Sequence, residues 1–137
     1  MRVLIDTNVL LDVFGHREPF YAASARVWAL AERGQVDAFI SAISFDNCFY
    51  VVRKLASITR GREVLRWLRD EFALVPLSEK IVHQAIDSDI QDFEDAIQFF
   101  SALHCSAEAL VTRNVSDFPV TTLHVLAPEE YLALYAS

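Results

Sequence analysis

The sequence predicts an α/β fold: a three-layer sandwich whose central, parallel, five-stranded sheet carries helices on both faces. Three observations lead there. Short apolar runs alternate with amphipathic helical stretches along the whole chain, the pattern of parallel strands joined by helical crossovers. The first run, Arg2-Val3-Leu4-Ile5, lacks polar alternation, which suits a strand covered on both faces. Only 3 Gly and 4 Pro punctuate the 137 residues, leaving no room for a flexible linker, so residues 1–137 read as a single domain.

After the first strand, Asn8 to about Phe14 reads as a short helix broken by Gly15. Pro19 opens a second helix through about Arg33, with Tyr21, Ala25, Trp28, Ala29 and Ala31 on its apolar side and Gly34 just past its end. Asp37 to Ile40 is a second strand. Ser41 and Ser44 precede a helix from about Phe45 to Ser57, striped by Phe45, Cys48, Phe49, Val52, Leu55 and Ala56. Gly61 separates it from a basic helix, Arg62 to Glu71. Ala73 to Val75 is a third strand, and Ser78 caps a helix through about Asp87 with Ile81, Val82, Ala85 and Ile86 inward. Asp92 starts a long helix to about Ala107. Ala109 to Thr112 and Leu123 to Leu126 are the last strands, and Pro128 at the first helical position opens a closing helix through about Ala136.

With 53% hydrophobic residues the chain is globular. Its formal charge of -7 argues against a nucleic-acid coat protein, which is basic, yet is compatible with an enzyme holding divalent cations. No signal peptide is visible and no run approaches the ~20 apolar residues of a membrane span, so a cytoplasmic protein without membrane contact is expected. Cys48 and Cys105 lie in apolar helical contexts as reduced core residues, and the four His lack metal-ligand spacing. Arg53, Lys54, Arg60, Arg62, Arg66 and Arg69 hold half of the 12 Lys and Arg, either as a phosphate- or partner-facing patch or as a solvated face of two helices.

The acids carry the chemistry. Asp6 follows the first strand directly, where open parallel sheets gather ligands, although it or Thr7 also suits a plain helix cap. Asp87, Asp89, Asp92, Glu94 and Asp95 crowd the entry to the long helix, where the dipole favours them and Asp92 can cap. On a wheel of ~100° per residue, Asp95 sits at one edge of the stripe made by Phe93, Ala96, Ile97, Phe100 and Leu103, with Asp92 beside it and Glu94 at the opposite edge. Thr112, Asn114 and Asp117 follow the fourth strand. Asp6, Asp95 and Asp117 thus converge from three elements, each at a strand's carboxyl end or a helix's amino end. With Asn and Thr oxygens they form a hard, all-oxygen donor set suited to Mg²⁺ or Mn²⁺ rather than zinc.

Three pieces carry a resemblance: Val3-Leu4-Ile5-Asp6-Thr7-Asn8-Val9-Leu10, then Asp92-Phe93-Glu94-Asp95-Ala96, then Leu110-Val111-Thr112-Arg113-Asn114 with Asp117-Phe118. In this order and spacing the chain resembles a PIN domain, the metal-dependent ribonuclease fold of many prokaryotic VapC-like toxins of toxin–antitoxin pairs. The resemblance implies that Asp6, Asp95 and Asp117 are acidic metal ligands, joined by Asp92. It implies that Thr112 and Asn114 order the site and that Asn8 supports Asp6. The family's usual fourth acid, commonly Glu in a Ser-initiated segment after the second strand, is replaced. Counting from Ser41 puts Asn47 there, with Asp46 adjacent, and the helical wheel alone does not choose which of the two faces the site.

The implied activity is a Mg²⁺- or Mn²⁺-dependent endoribonuclease acting on accessible single-stranded RNA, with Arg113 and the central basic helices, Arg53 and Lys54 among them, guiding phosphates. A homodimer and a cognate antitoxin are the partners the family implies. The alternative is a catalytically weakened PIN-like module that binds RNA or protein, which Asn47 favours and the retained Asp6, Asp95 and Asp117 oppose. A phosphatase on another α/β fold is weaker still, because Asp6-Thr7-Asn8 lacks the Asp-x-Asp nucleophile pair of the haloacid-dehalogenase type.

Overall fold

The structure is a computed structural model that describes residues 1–136. Its strands are β1 (Arg2–Ile5), β2 (Asp37–Ser41), β3 (Ala73–Val75), β4 (Ala109–Val111) and β5 (His124–Leu126). The helices are α1 (Thr7–Phe14), α2 (Tyr21–Glu32), α3 (Ala42–Leu55), α4 (Ile58–Glu71), α5 (Glu79–Asp87), α6 (Phe93–His104) and α7 (Pro128–Tyr135). A single 3-10 turn, Val115–Asp117, follows β4.

All strands are parallel, in the order β3-β2-β1-β4-β5. Alternation along β1 divides the core between two faces. Val3 and Ile5 join one cluster with Val9, Leu10, Val27, Cys48, Val64 and Tyr131. Leu4 joins the other with Ile81, Ala85, Ile97, Phe99 and Ala102. Helices α1, α2, α3, α4 and α7 therefore cover one face and α5 and α6 the other, which is the expected three-layer sandwich. Every residue of β1 after Arg2 is buried, as its unalternating sequence requires. Cys48 and Cys105 are buried free thiols.

The strand order reverses direction beside β1. From β1 the chain steps outward to β2 and β3, then returns to place β4 on the other flank. The carboxyl ends of β1 and β4 thus border the point where a parallel sheet opens a crevice for ligands.

Several local expectations are corrected. Helix α3 starts at Ala42 rather than near Phe45, because the Ser41 hydroxyl caps it by accepting from the Ile43 N–H. Helix α4 starts at Ile58, capped by Ser57, and Gly61 lies inside it. A Cβ at Gly61 would sit 2.9 Å from the Phe49 ring, so this glycine permits close packing of α3 on α4 rather than a break. Pro19 belongs to the turn before α2, which begins at Tyr21. Helix α6 ends at His104, where Ser106 adopts a left-handed φ of 57°.

The apolar stripes also shift. Phe93 and Leu103 are 48% and 45% exposed, and the buried side of α6 instead centres on Asp95, Gln98, Phe99 and Ala102. On α5 Ile86 is exposed, and on α3 so is Leu55.

Candidate metal centre

Asp6 occupies the N-cap of α1 with extended backbone, and both its carboxylate oxygens are held. Oδ1 accepts from the Thr7 N–H at 2.7 Å, and Oδ2 accepts from the Thr112 hydroxyl at 2.7 Å. The Thr112 oxygen in turn accepts from the Asn114 N–H at 3.1 Å. A polarised relay therefore runs from the loop after β4 into the carboxylate at the end of β1. The same junction is tied from the other side, where Asn8 Oδ1 accepts from the Arg113 N–H at 3.3 Å. Asn8 therefore holds the β4 loop backbone, whereas Asp6 is held by Thr7 and Thr112.

Asp92 caps α6, its Oδ1 accepting from the Asp95 N–H at 3.0 Å. Its second oxygen is left for other work. Asp95, one turn in, is buried. Asp117 ends the 3-10 turn, its backbone N–H bonded to Asn114 O.

These side chains meet in one cleft of about 430 Å³, lined by Asp6, Asn8, Asn47, Asp92, Glu94, Asp95, Asn114 and Asp117 with Thr7, Leu11, Tyr50 and Val51. Asp6, Asp92, Asp95, Asp117, Asn8, Asn47 and Asn114, all singled out from the sequence, are present there, whereas Asp87 and Asp89 are not. Thr112 lies fully buried behind Asp6. Asn47 lines the cleft, whereas Asp46 is exposed and does not line it.

Two residues of the cleft escaped the sequence reading. The sequence stripe that includes Phe93 puts Glu94 on the far edge of α6. With Phe93 half exposed, the first turn of α6 rotates so that Glu94 joins the acids. Tyr50 is not among the residues the sequence singles out. Its spacing one helical turn beyond Asn47 was the available signal.

Beneath the cleft Gln98, fully buried, donates through Nε2 to Thr7 Oγ1 at 3.2 Å and to Ser44 Oγ at 3.1 Å. Thr7 Oγ1 and Ser44 Oγ are themselves 2.8 Å apart. This triad pins α1, α3 and α6 together under the acids, so the carboxylates sit on a packed polar base.

The electrostatics are strained. Burial pushes the Asp6 pKa up to about 6, with Glu94 and Asp92 adding to the rise and the bonds from Thr112 and Thr7 opposing it. Burial likewise pushes Asp95 up to about 7, reinforced by Asp6, Asp92, Asp117 and Glu94. As the side chains stand they do not form a closed cage, since no three carboxylate, imidazole or thiolate groups among the described residues are grouped to hold an ion. The donor set of carboxylate and amide oxygens, without thiolate or imidazole, fits Mg²⁺ or Mn²⁺.

Arg113 is engaged elsewhere. Its Nε lies 2.9 Å from Oδ2 of Asp12, a carboxylate with no solvent exposure, and its guanidinium stacks 4.1 Å above the Phe20 ring. The alignment is not that of a hydrogen bond, so the pair is held by charge, and Asp12 Oδ1 has no partner of its own. Arg53 and Lys54 are exposed in the last turn of α3, where the helix dipole favours cations.

A sequence profile of the PIN domain matches residues 2–116. Ribonuclease VapC1 of Aquifex aeolicus is 24% identical over 138 residues, covering 95% of this chain and 92% of that protein. A toxin–antitoxin complex from Klebsiella pneumoniae contains a chain that superposes with a TM-score of 0.68 at 26% identity, over 92% of this chain and 97% of that one. The sarcin-ricin loop cleaving toxin VapC20 of Mycobacterium tuberculosis gives a TM-score of 0.69 over 89% and 98% of the two chains, a likeness of fold alone at 11% identity. Topology, the acids at the ends of β1 and β4, and the profile match agree: this chain belongs to the PIN-domain family.

Proposed function

We propose that this chain is a Mg²⁺- or Mn²⁺-dependent endoribonuclease, acting in the cytoplasm as the toxin of a toxin–antitoxin pair. The observation that carries the reading is the cleft in which Asp6, Asp92, Glu94, Asp95 and Asp117 gather around two carboxyls with raised pKa. Such crowding is costly without a cation and marks a site built for one. The relative named as a ribonuclease and the neighbour that is part of a toxin–antitoxin complex support the substrate class and the partner. A homodimer is proposed on the same family ground.

In this reading Asp6, Asp95, Asp117 and Asp92 hold the ion. A divalent ion bound there supplies neutralisation of the phosphate's charge and activation of water for phosphodiester hydrolysis. The chain's own work is orientation. Thr7 and Thr112 fix the plane of the Asp6 carboxylate, which lines the cleft. Asp92 holds the first turn of α6 and thereby the position of Asp95. Asn8, through the Arg113 backbone, and Asn114, through Thr112, fix the loop that presents Asp117. Asn47 offers an amide where a further acid would add charge.

The test is RNA cleavage with Mg²⁺ or Mn²⁺, with and without chelator, beside a thermal melt over the same metal series. Metal-dependent cleavage lost in Asp95→Asn, together with metal-dependent stabilisation of the wild type, supports the reading. RNA bound but uncleaved, with no stabilisation by either ion, overturns it in favour of a binding module.

A further inference from the structure

Helix α3 carries Asn47 into the cleft and, one turn later, Tyr50 to its mouth. The Tyr50 ring is 52% exposed, so it is not core, yet it shares the cleft with Asp6, Asp95 and Asp117. Two cations flank it. The Arg53 guanidinium lies 5.8 Å and the Lys54 ammonium 5.6 Å from the ring centroid. Both lie over the ring at the outer edge of the ~6 Å range of a cation–π contact, where the attraction at an exposed site is weak. Neither is ion-paired among the described residues. A half-exposed ring with two cations loosely over it and unpaired with any acid matches a nucleotide: the base takes the ring and its phosphates draw the cations aside. The need for such a feature is plain, because five carboxylates in a chain of net charge -7 repel a polyanion.

We propose that Tyr50 is the platform on which a nucleobase of the RNA substrate stacks at the mouth of the acidic cleft, with Arg53 and Lys54 taking the phosphates that flank that base. The proposal rests on the ribonuclease reading and deepens it. Stacking on Tyr50 requires a base free of its pairing partner, so the site selects unpaired segments. It tolerates any base, since each has a π face.

The experiment is steady-state cleavage, with Mn²⁺, of a short unstructured oligoribonucleotide and of copies carrying one abasic nucleotide near the cut. Removing a stacking partner is worth about tenfold in affinity. Tyr50→Ala should raise KM about that much with a smaller change in kcat, Tyr50→Phe should restore it, and Tyr50→Leu should behave as Ala. At one position the abasic substrate should cost the wild type a similar factor and cost Tyr50→Ala little more. If the two losses simply multiply at every position, or Leu serves as well as Phe, the platform is overturned. If wild-type protein cleaves nothing, the ribonuclease reading falls by itself. Fluorescence anisotropy of the same oligonucleotides then decides the platform, a loss in Tyr50→Ala supporting it and equal binding overturning it. Unchanged RNA binding with loss of a co-expressed protein partner would assign Tyr50 to a protein interface instead, and overturn the proposal.

Discussion

Asp6 and Asp12 stand toward opposite ends of the same short helix, both buried, and the protein treats them in opposite ways. Asp6 faces other acids across a cleft, and its partners are a hydroxyl and an N–H. Asp12 faces the Arg113 guanidinium. Two charges 2.9 Å apart at an effective dielectric constant of ~20 attract by roughly 6 kcal/mol, about what removing the two ions from water costs. Desolvation still leads, since burial raises the Asp12 pKa despite Arg113 and Arg17. The Asp12–Arg113 pair is therefore close to neutral for stability, and its value is geometric: it clamps the loop that carries Asn114 and Asp117 onto α1. A buried acid with a cation beside it is framework. A buried acid among acids is where we propose that a cation binds.

The comparison breaks most sharply if the cleft acids prove dispensable. Asp6→Asn, Asp95→Asn and Asp117→Asn should each lower RNA cleavage by about a thousandfold or more while the far-ultraviolet circular dichroism stays native. Asp12→Asn, which touches no reacting atom, should leave measurable cleavage.

Next in size is the clamp. Arg113→Ala strands a buried carboxylate and should cost about 3 kcal/mol in urea denaturation. Removing both partners, as Asp12→Leu with Arg113→Met, should cost less than Arg113→Ala alone. Equal or additive losses would mean that the pair is a net stabiliser after all.

The pH dependence tests the crowding of acids in the cleft. The folded pKa values of Asp6 and Asp95, about 6 and about 7, lie above the ordinary 3.8. Between those limits the folded protein holds protons that the unfolded chain has released, so stability without divalent ions should fall as pH rises from about 4 to about 7. Relative to wild type, Asp95→Asn should melt higher at pH 8 in chelator, with the difference vanishing near pH 4. Saturating Mn²⁺ should close the gap by stabilising the wild type. A variant that melts lower throughout would show that the Asp95 charge is structural.

The smallest expected effect concerns the amide of the cleft. Asn47→Glu adds an acid beside Asp6 and should lower the Mn²⁺ concentration for half-maximal cleavage by a few-fold, on the order of 1 kcal/mol. Asp46→Ala, at an exposed position outside the cleft, should change it little. The reverse pattern would place the working acid at Asp46.

Much of the molecule was legible beforehand because the signals were local. Unalternating β1, Ser78 and Asp92 as caps, Pro128 at the start of α7 and Gly34 past α2 all act within a few residues of themselves. The errors fell where a distant partner decides. Gly61 reads as a breaker by its own propensity, but Phe49 on the neighbouring helix is what excludes a side chain there. Phe93 and Leu103 outrank Gln98 and Asp95 on any hydrophobic scale, yet Gln98 is buried, with Thr7 and Ser44 accepting from its Nε2.

The sequence by itself determined the alternation of strands and helices, the two-faced core along β1, and the three stations of acids, since residue type and spacing encode periodicity, capping and donor chemistry. Tertiary structure alone decided which charges meet. The fold laid β4 beside β1 and brought Arg113 to Asp12, a pairing that no spacing along the chain announces. Glu94, Asn47 and Tyr50 became cleft residues only once α3 and α6 were set by the packing of Gln98 against Thr7 and Ser44. Coulomb energy and desolvation depend on distance and burial, and neither is a property of position along the chain.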